Sequence, residues 1–198
     1  GMKPVYDMEA EKMYSSMTEY QKSLRDVKGE MTIFALGVEK SGEEARKKLF
    51  LLTGPISNLK DRSVSESYFE NPSTLKFFTK SEAKQIAGGK VFLEGILLYQ
   101  DDECCFVFYQ SQTGNEAERY LSCIDKAGEI LWTVSTEDVL FPKLRATSGD
   151  AFSTMFFIKN NVHVSRSGDM AVLAYDRFGI MGFDFTTGKK AFEVELSK

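Results

Sequence analysis

The sequence predicts a mainly β fold built of antiparallel four-stranded meanders, with an amphipathic helix ahead of them. Three observations predict it. Up to Gly29 the apolar residues recur at helical steps. After Gly29 the chain breaks into short apolar runs separated by polar turns, the texture of antiparallel strands joined by tight turns. Two stretches sixty residues apart repeat the same strand–turn–strand pattern. A β-barrel or β-sandwich carrying a helix is the alternative that the same observations allow.

The helix comes first. Tyr6, Ala10, Met13, Met17, Tyr20, Leu24 and Val27 follow one another at alternating steps of four and three, with Glu9, Glu11, Lys12, Glu19, Lys22 and Arg25 between them. That spacing draws one narrow apolar stripe along a helix. Asp7 fits the N-cap, and Gly29 fits the residue just past the C-terminal end. The stripe lasts about three heptads, the lower limit for a coiled coil. It either packs on the helix's own domain or forms an interaction seam of Tyr6, Met13, Met17, Tyr20 and Leu24, for self-association or a protein partner. Residues 1–29 are therefore assigned to the helix and 30–198 to a single β domain.

Within the β domain, "MTIFALGV" and "KLFLLTG" read as a hairpin around the charged loop "EKSGEEARK". "STLKFFTKSEAKQIAGG" reads as a short helix ending at Gly88-Gly89. Four runs follow, "VFLEGILLYQ", "CCFVFYQS", "RYLSCID" and "EILWTVS", and then four more, "FFIKNNVHVS", "MAVLAYD", "GIMGFDF" and "KAFEVEL". Three units result, at about 30–54, 90–135 and 155–196. Successive side chains of a strand alternate faces. Cys104 and Cys105 therefore point apart, one to the core and the other to the surface. Phe77-Phe78 and Phe156-Phe157 place a ring on each face, for sheet packing or for an exposed partner patch. His163 lies opposite the face shared by Val162 and Val164.

"CIDKAGEILWTVS" (Cys123–Ser135) aligns with "GFDFTTGKKAFEVEL" (Gly182–Leu196): Asp125 meets Asp184, Gly128 meets Gly188, Trp132 meets Phe192 and Val134 meets Val194. Upstream, "CCFVFYQ" meets "MAVLAYD" at an offset of 66, and the longer "QTGNEAE" loop absorbs the difference of six. "GEEARKKL" (Gly42–Leu49) echoes "GNEAERYL" (Gly114–Leu121). A strand that ends in Asp, a Thr/Gly turn and a Trp opening the last strand resemble the core of quinoprotein-like β-propeller repeats, and WD40-like blades look similar at this level. The resemblance covers about 85 residues in two blade-like units, and Phe192 stands where the pattern has Trp. It implies a propeller-like body that presents loops and edges to partners. A closed propeller has at least about four blades, so two or three imply an open stack, or a ring completed by oligomerisation.

"GFDFTTGKK" looks like a phosphate loop but has five residues between Gly182 and Gly188, and Lys190 stands where Ser or Thr is required. A strand pattern follows it rather than the helix whose N-terminus would hold phosphate. It is a turn between strands. His163 is the single histidine, too few for a histidine metal site or a triad. "DDE" (Asp101–Glu103) is a hairpin turn rather than a cation cage, which needs six or more oxygens. "DRFG" (Asp176–Gly179) resembles a kinase element but has no companion signature. Glu94, Asp125, Asp138, Asp169, Asp176 and Asp184 could supply an acid–base pair for hydrolysis, with carboxylates about 5–10 Å apart in a cleft.

Net charge is −4 with no extended Lys/Arg cluster, which speaks against a nucleic-acid partner. No apolar run reaches the length of a membrane span. The start "GMKPVYDMEAEK" lacks a signal-peptide core, and three cysteines form no disulfide framework. The expectation is a cytoplasmic, non-catalytic binding or scaffold protein with no cofactor and no metal. A small-molecule binder with an aromatic-lined pocket is the alternative, and a paired-carboxylate hydrolase the third.

Overall fold

A computed structural model describes residues 5–7, 12–14, 29–39, 46–55, 82–112, 117–142, 144 and 151–196. The fold is mainly β, in two large antiparallel sheets. At the N-terminus β1 (Val5–Asp7) pairs with β2 (Lys12–Tyr14), with Tyr6 opposite Met13. These six residues are strand, not the expected helix. A seven-residue spacing that stacks two side chains on a helix also sets them opposite each other when the chain turns back between them. Met17, Tyr20 and Leu24, with the rest of the expected helix, lie outside the described residues, as do Phe77 and Phe78.

The larger sheet runs β3 (Glu30–Glu39), β4 (Arg46–Pro55), β6 (Val91–Gln100), β7 (Cys104–Gln110), β8 (Arg119–Asp125) and β9 (Ile130–Ser135), with β5 (Glu82–Gln85) paired to β4. The expected hairpin at 30–54 is present as β3–β4. It is not a separate unit, because Arg46–Lys48 of β4 pair with Val91–Leu93 of β6. Beyond those three pairs the hairpin parts from β6, and its Phe34 and Leu49 share a buried cluster with Cys105, Val107 and Ile124. Gln100 fixes the placement. Its side-chain Oε1 accepts from the Phe34 N–H (2.8 Å), and its Nε2 donates to the Phe34 carbonyl (3.3 Å). The short helix expected before Gly88-Gly89 is instead β5 followed by one 3-10 turn, Ala87–Gly89.

The second sheet is a four-stranded meander in sequence order: β10 (Val162–Ser167), β11 (Met170–Tyr175), β12 (Gly179–Asp184) and β13 (Lys190–Glu195). It repeats the order of β6–β9, and the repeat extends to local geometry. Cys123 faces Trp132 across β8–β9, with a register shift at Cys123/Ile124; Gly182 faces Phe192 across β12–β13, with a shift at Gly182/Phe183. Asp125 Oδ1 accepts from the Glu129 N–H, and Asp184 Oδ1 from the Thr187 N–H. Gly128 and Gly188 both take positive φ, 91° and 69°. Among the described strands neither sheet closes into a barrel.

Between the sheets lie α1 (Thr136–Val139) and α2 (Ala151–Asn161). Phe156 and Phe157 are helical, not a strand pair with one ring on each face. Met155 and Ile158, three apart on one face of the helix, are both buried. Phe156 is exposed, while Phe157 meets Phe178 edge to face at 5.4 Å.

One cluster joins the sheets: Phe106, Phe108, Leu121 and Trp132 on one side, Leu173, Tyr175, Met181 and Phe183 on the other. Trp132 Nε1 donates to the Phe185 carbonyl (2.6 Å), so the indole of the first repeat docks on the turn of the second. At the sheet margin Arg166 bonds Asp101 (2.9 Å) and Glu103 (2.6 Å) and lies over the Phe185 ring. Every residue of β7 is buried. Cys104 and Cys105 do point to opposite faces, but both are buried, because the sheet is covered on both sides.

Candidate functional site

Two surfaces follow from this arrangement. The first is the outer face of β10–β13. Met181 and Phe183 point inward, so Ile180 and Gly182 point outward, and their partners Val194 and Phe192 share that face. Ile180, Phe192, Val194 and Leu196 are 38–56% exposed. Gly182 leaves room for Phe192, whose ring lies where a Cβ on Gly182 would stand. Phe192 occupies the repeat position of Trp132, yet Trp132 is buried on a neighbouring sheet and Phe192 is not.

The second is an open cleft of about 340 Å³ lined by Lys90, Val91, Tyr109, Gln110, Ser111, Tyr120 and Thr133. Lys90 Nζ donates to Tyr109 Oη (2.8 Å). Tyr109 Oη lies 3.2 Å from Ser122 Oγ, which lies 2.7 Å from Thr133 Oγ1. The sequence signalled none of these residues. They come from β6, β7, β8 and β9 and the residues beside them, and meet only through strand register.

The carboxylates singled out in the sequence have structural surroundings. Asp125 and Asp184 accept backbone N–H groups of their own turns. The Thr187 hydroxyl and N–H hold the Asp184 carboxyl below the usual range. Asp176 lies 3.8 Å from His163 in an exposed pair. Asp101 in "DDE" caps its hairpin by accepting from the Glu103 and Cys104 N–H groups. Burial opposes its ionisation but is outweighed by these bonds and by those from Tyr99 and Arg166, so its carboxyl is held at about 2. His163 is exposed beside buried Val162. Among the described residues no three or more His, Cys, Asp or Glu side chains gather as metal ligands, and no helix is long and apolar enough to cross a membrane. No protein-family model, curated protein or solved structure matches the chain.

Proposed function

We propose that the chain is a non-catalytic binding or scaffold protein, propeller-like in the build of its sheets, whose outer β10–β13 face receives a protein partner. One observation carries the proposal. Two meanders share strand order and the register shift before the last strand, yet β7 of the first is covered on both faces, whereas the β10–β13 sheet is covered by the described residues on one. Four apolar side chains remain on the uncovered face. An apolar patch of this kind on a sheet marks an interaction surface, and covering a Val, Leu, Ile or Phe side chain contributes roughly 1.5–3 kcal/mol. The cleft beside Tyr109 and Tyr120 is open and of mixed lining rather than a deep aromatic cavity. Three buried, unpaired thiols suit a reducing compartment, and a cytoplasmic location is part of the proposal.

Capture experiments with immobilised protein test it. A partner held by the wild type and by Tyr120→Ala, but lost from Val194→Asp with an unchanged circular dichroism spectrum, supports the sheet face. Equal capture by wild type and Val194→Asp removes it.

A further inference from the structure

We infer that the cleft beside Tyr109 and Tyr120 is a binding site for a small planar carboxylate, held between Lys90 and Thr133. The inference is independent of the sheet face proposed above.

Lys90 is the first observation. It follows the left-handed turn at Ala87–Gly89, and its ammonium stands over the Tyr109 ring (4.7 Å to the centroid) and the Phe92 ring (5.6 Å). Such placement holds a cation without neutralising it. The ion pairs of Arg166, Lys190 and His163 do not involve Lys90. An ammonium has three donors and no acceptor, and one of the three goes to Tyr109.

The polarity of the hydroxyl chain is the second. Because Lys90 only donates, Tyr109 Oη accepts from it. Tyr109 and Ser122 are buried, and a buried donor without an acceptor is costly. If Ser122 donated to Tyr109, the phenol proton would be left without a partner among the described residues. The direction that satisfies every member runs Tyr109 to Ser122 to Thr133. The Thr133 proton is then the free end, on an exposed side chain that lines the cleft.

The cleft therefore presents donors at both ends, one of them charged. Between them stand Val91 and the Tyr109 and Tyr120 rings, whose centroids are 5.8 Å apart. A carboxylate offers two coplanar acceptor oxygens and a negative charge for Lys90. A planar apolar body suits the tyrosine wall. The volume of about 340 Å³ is at the small end of ligand sites, which sets the size class at a single ring.

The test is a solution NMR titration of the full chain with sodium benzoate, and with benzyl alcohol as its uncharged counterpart. Benzoate is expected to shift the amide signals of Lys90, Ser111 and Thr133 saturably, and to bind at least about ten-fold tighter than the alcohol. Lys90→Met, which keeps the aliphatic stem, is expected to erase that preference. Thr133→Val is expected to weaken benzoate about three-fold or more. Val194→Asp is expected to leave benzoate binding unchanged, so the two proposals fail separately. Equal affinity for benzoate and benzyl alcohol, no benzoate shift up to roughly 10 mM, or unchanged benzoate binding in both Lys90→Met and Thr133→Val overturns the inference.

Discussion

The β6–β9 and β10–β13 meanders have the same order and the same register shift before the last strand, and each makes its last turn from an Asp to a positive-φ Gly, three residues on in the first and four in the second. Their surroundings differ. The first lies between the β3–β4 hairpin and the second sheet, and its β7 is buried along its whole length. Among the described residues the second has neighbours on one face only, and its β13 is exposed throughout. The difference shows in the aligned aromatic positions. Trp132 is 7% exposed and hydrogen-bonded across the inter-sheet contact, whereas Phe192 is 38% exposed and rests on Gly182 of its own sheet. Meander geometry is thus encoded within each unit, while the chemistry of each face is set by what stacks on it.

Substitutions can break or sharpen this comparison. The largest effect is expected at Phe106, which is fully buried between the sheets, with Trp132 at 5.3 Å. Phe106→Ala should destabilise the chain by about 3–5 kcal/mol in urea unfolding. A loss below about 1 kcal/mol would mean that the inter-sheet core is looser than described. Next comes Gly188, where a Cβ would lie 2.6 Å from the Trp132 ring at a φ of 69°. Gly188→Ala should cost more than Gly168→Ala, which has a similar φ of 57° but open space around it. The second change alone should cost about 1 kcal/mol, so equal midpoint shifts would show that the indole does not press on the turn.

Acid titration probes the margin where the sheets are tied. The folded Asp101 carboxyl, at about 2, lies below its unfolded value of about 3.9. Its contribution is therefore fully present above pH 4 and lost as pH falls toward 2. Asp101→Asn should be less stable than wild type at pH 6, and the gap should shrink between about pH 4 and pH 2. A gap independent of pH would break the assignment. The smallest effect is expected at the uncovered face. Val194→Ala should stay within about 0.5 kcal/mol of wild type, an order of magnitude below Phe106→Ala, as thermal melts can show.

Much of this was legible in the sequence because it depends on local spacing. Asp125/Gly128 and Asp184/Gly188 mark turns by side-chain capping and positive φ, properties a short stretch carries by itself. The alternation around Val162, His163 and Val164 gave their faces correctly. Long-range packing was not legible. Cys104 and Cys105 alternate as strand residues should, yet no local pattern says that a hairpin covers the second face. "FFIKNN" reads as a strand because two adjacent aromatics suit a sheet, whereas Met155 and Ile158, buried three apart, place it at the end of α2. Tyr6 and Met13 suit either a helix face or a two-stranded ladder. The cleft of Lys90, Tyr109, Ser122 and Thr133 was hidden for a different reason: strand register assembles it from residues with no shared motif.

The cysteines of the central sheet carry a further consequence. Burial raises the Cys105 thiol far above its ordinary range, and a hydrogen bond with Cys104, with burial next, does the same for Cys123. Alkylating reagents attack the thiolate, so these sulfurs react only in molecules whose middle layer has come apart. The rate of thiol labelling in native buffer is then a clock for that opening. The chain carries its own unfolding reporter at the place where its stability is concentrated.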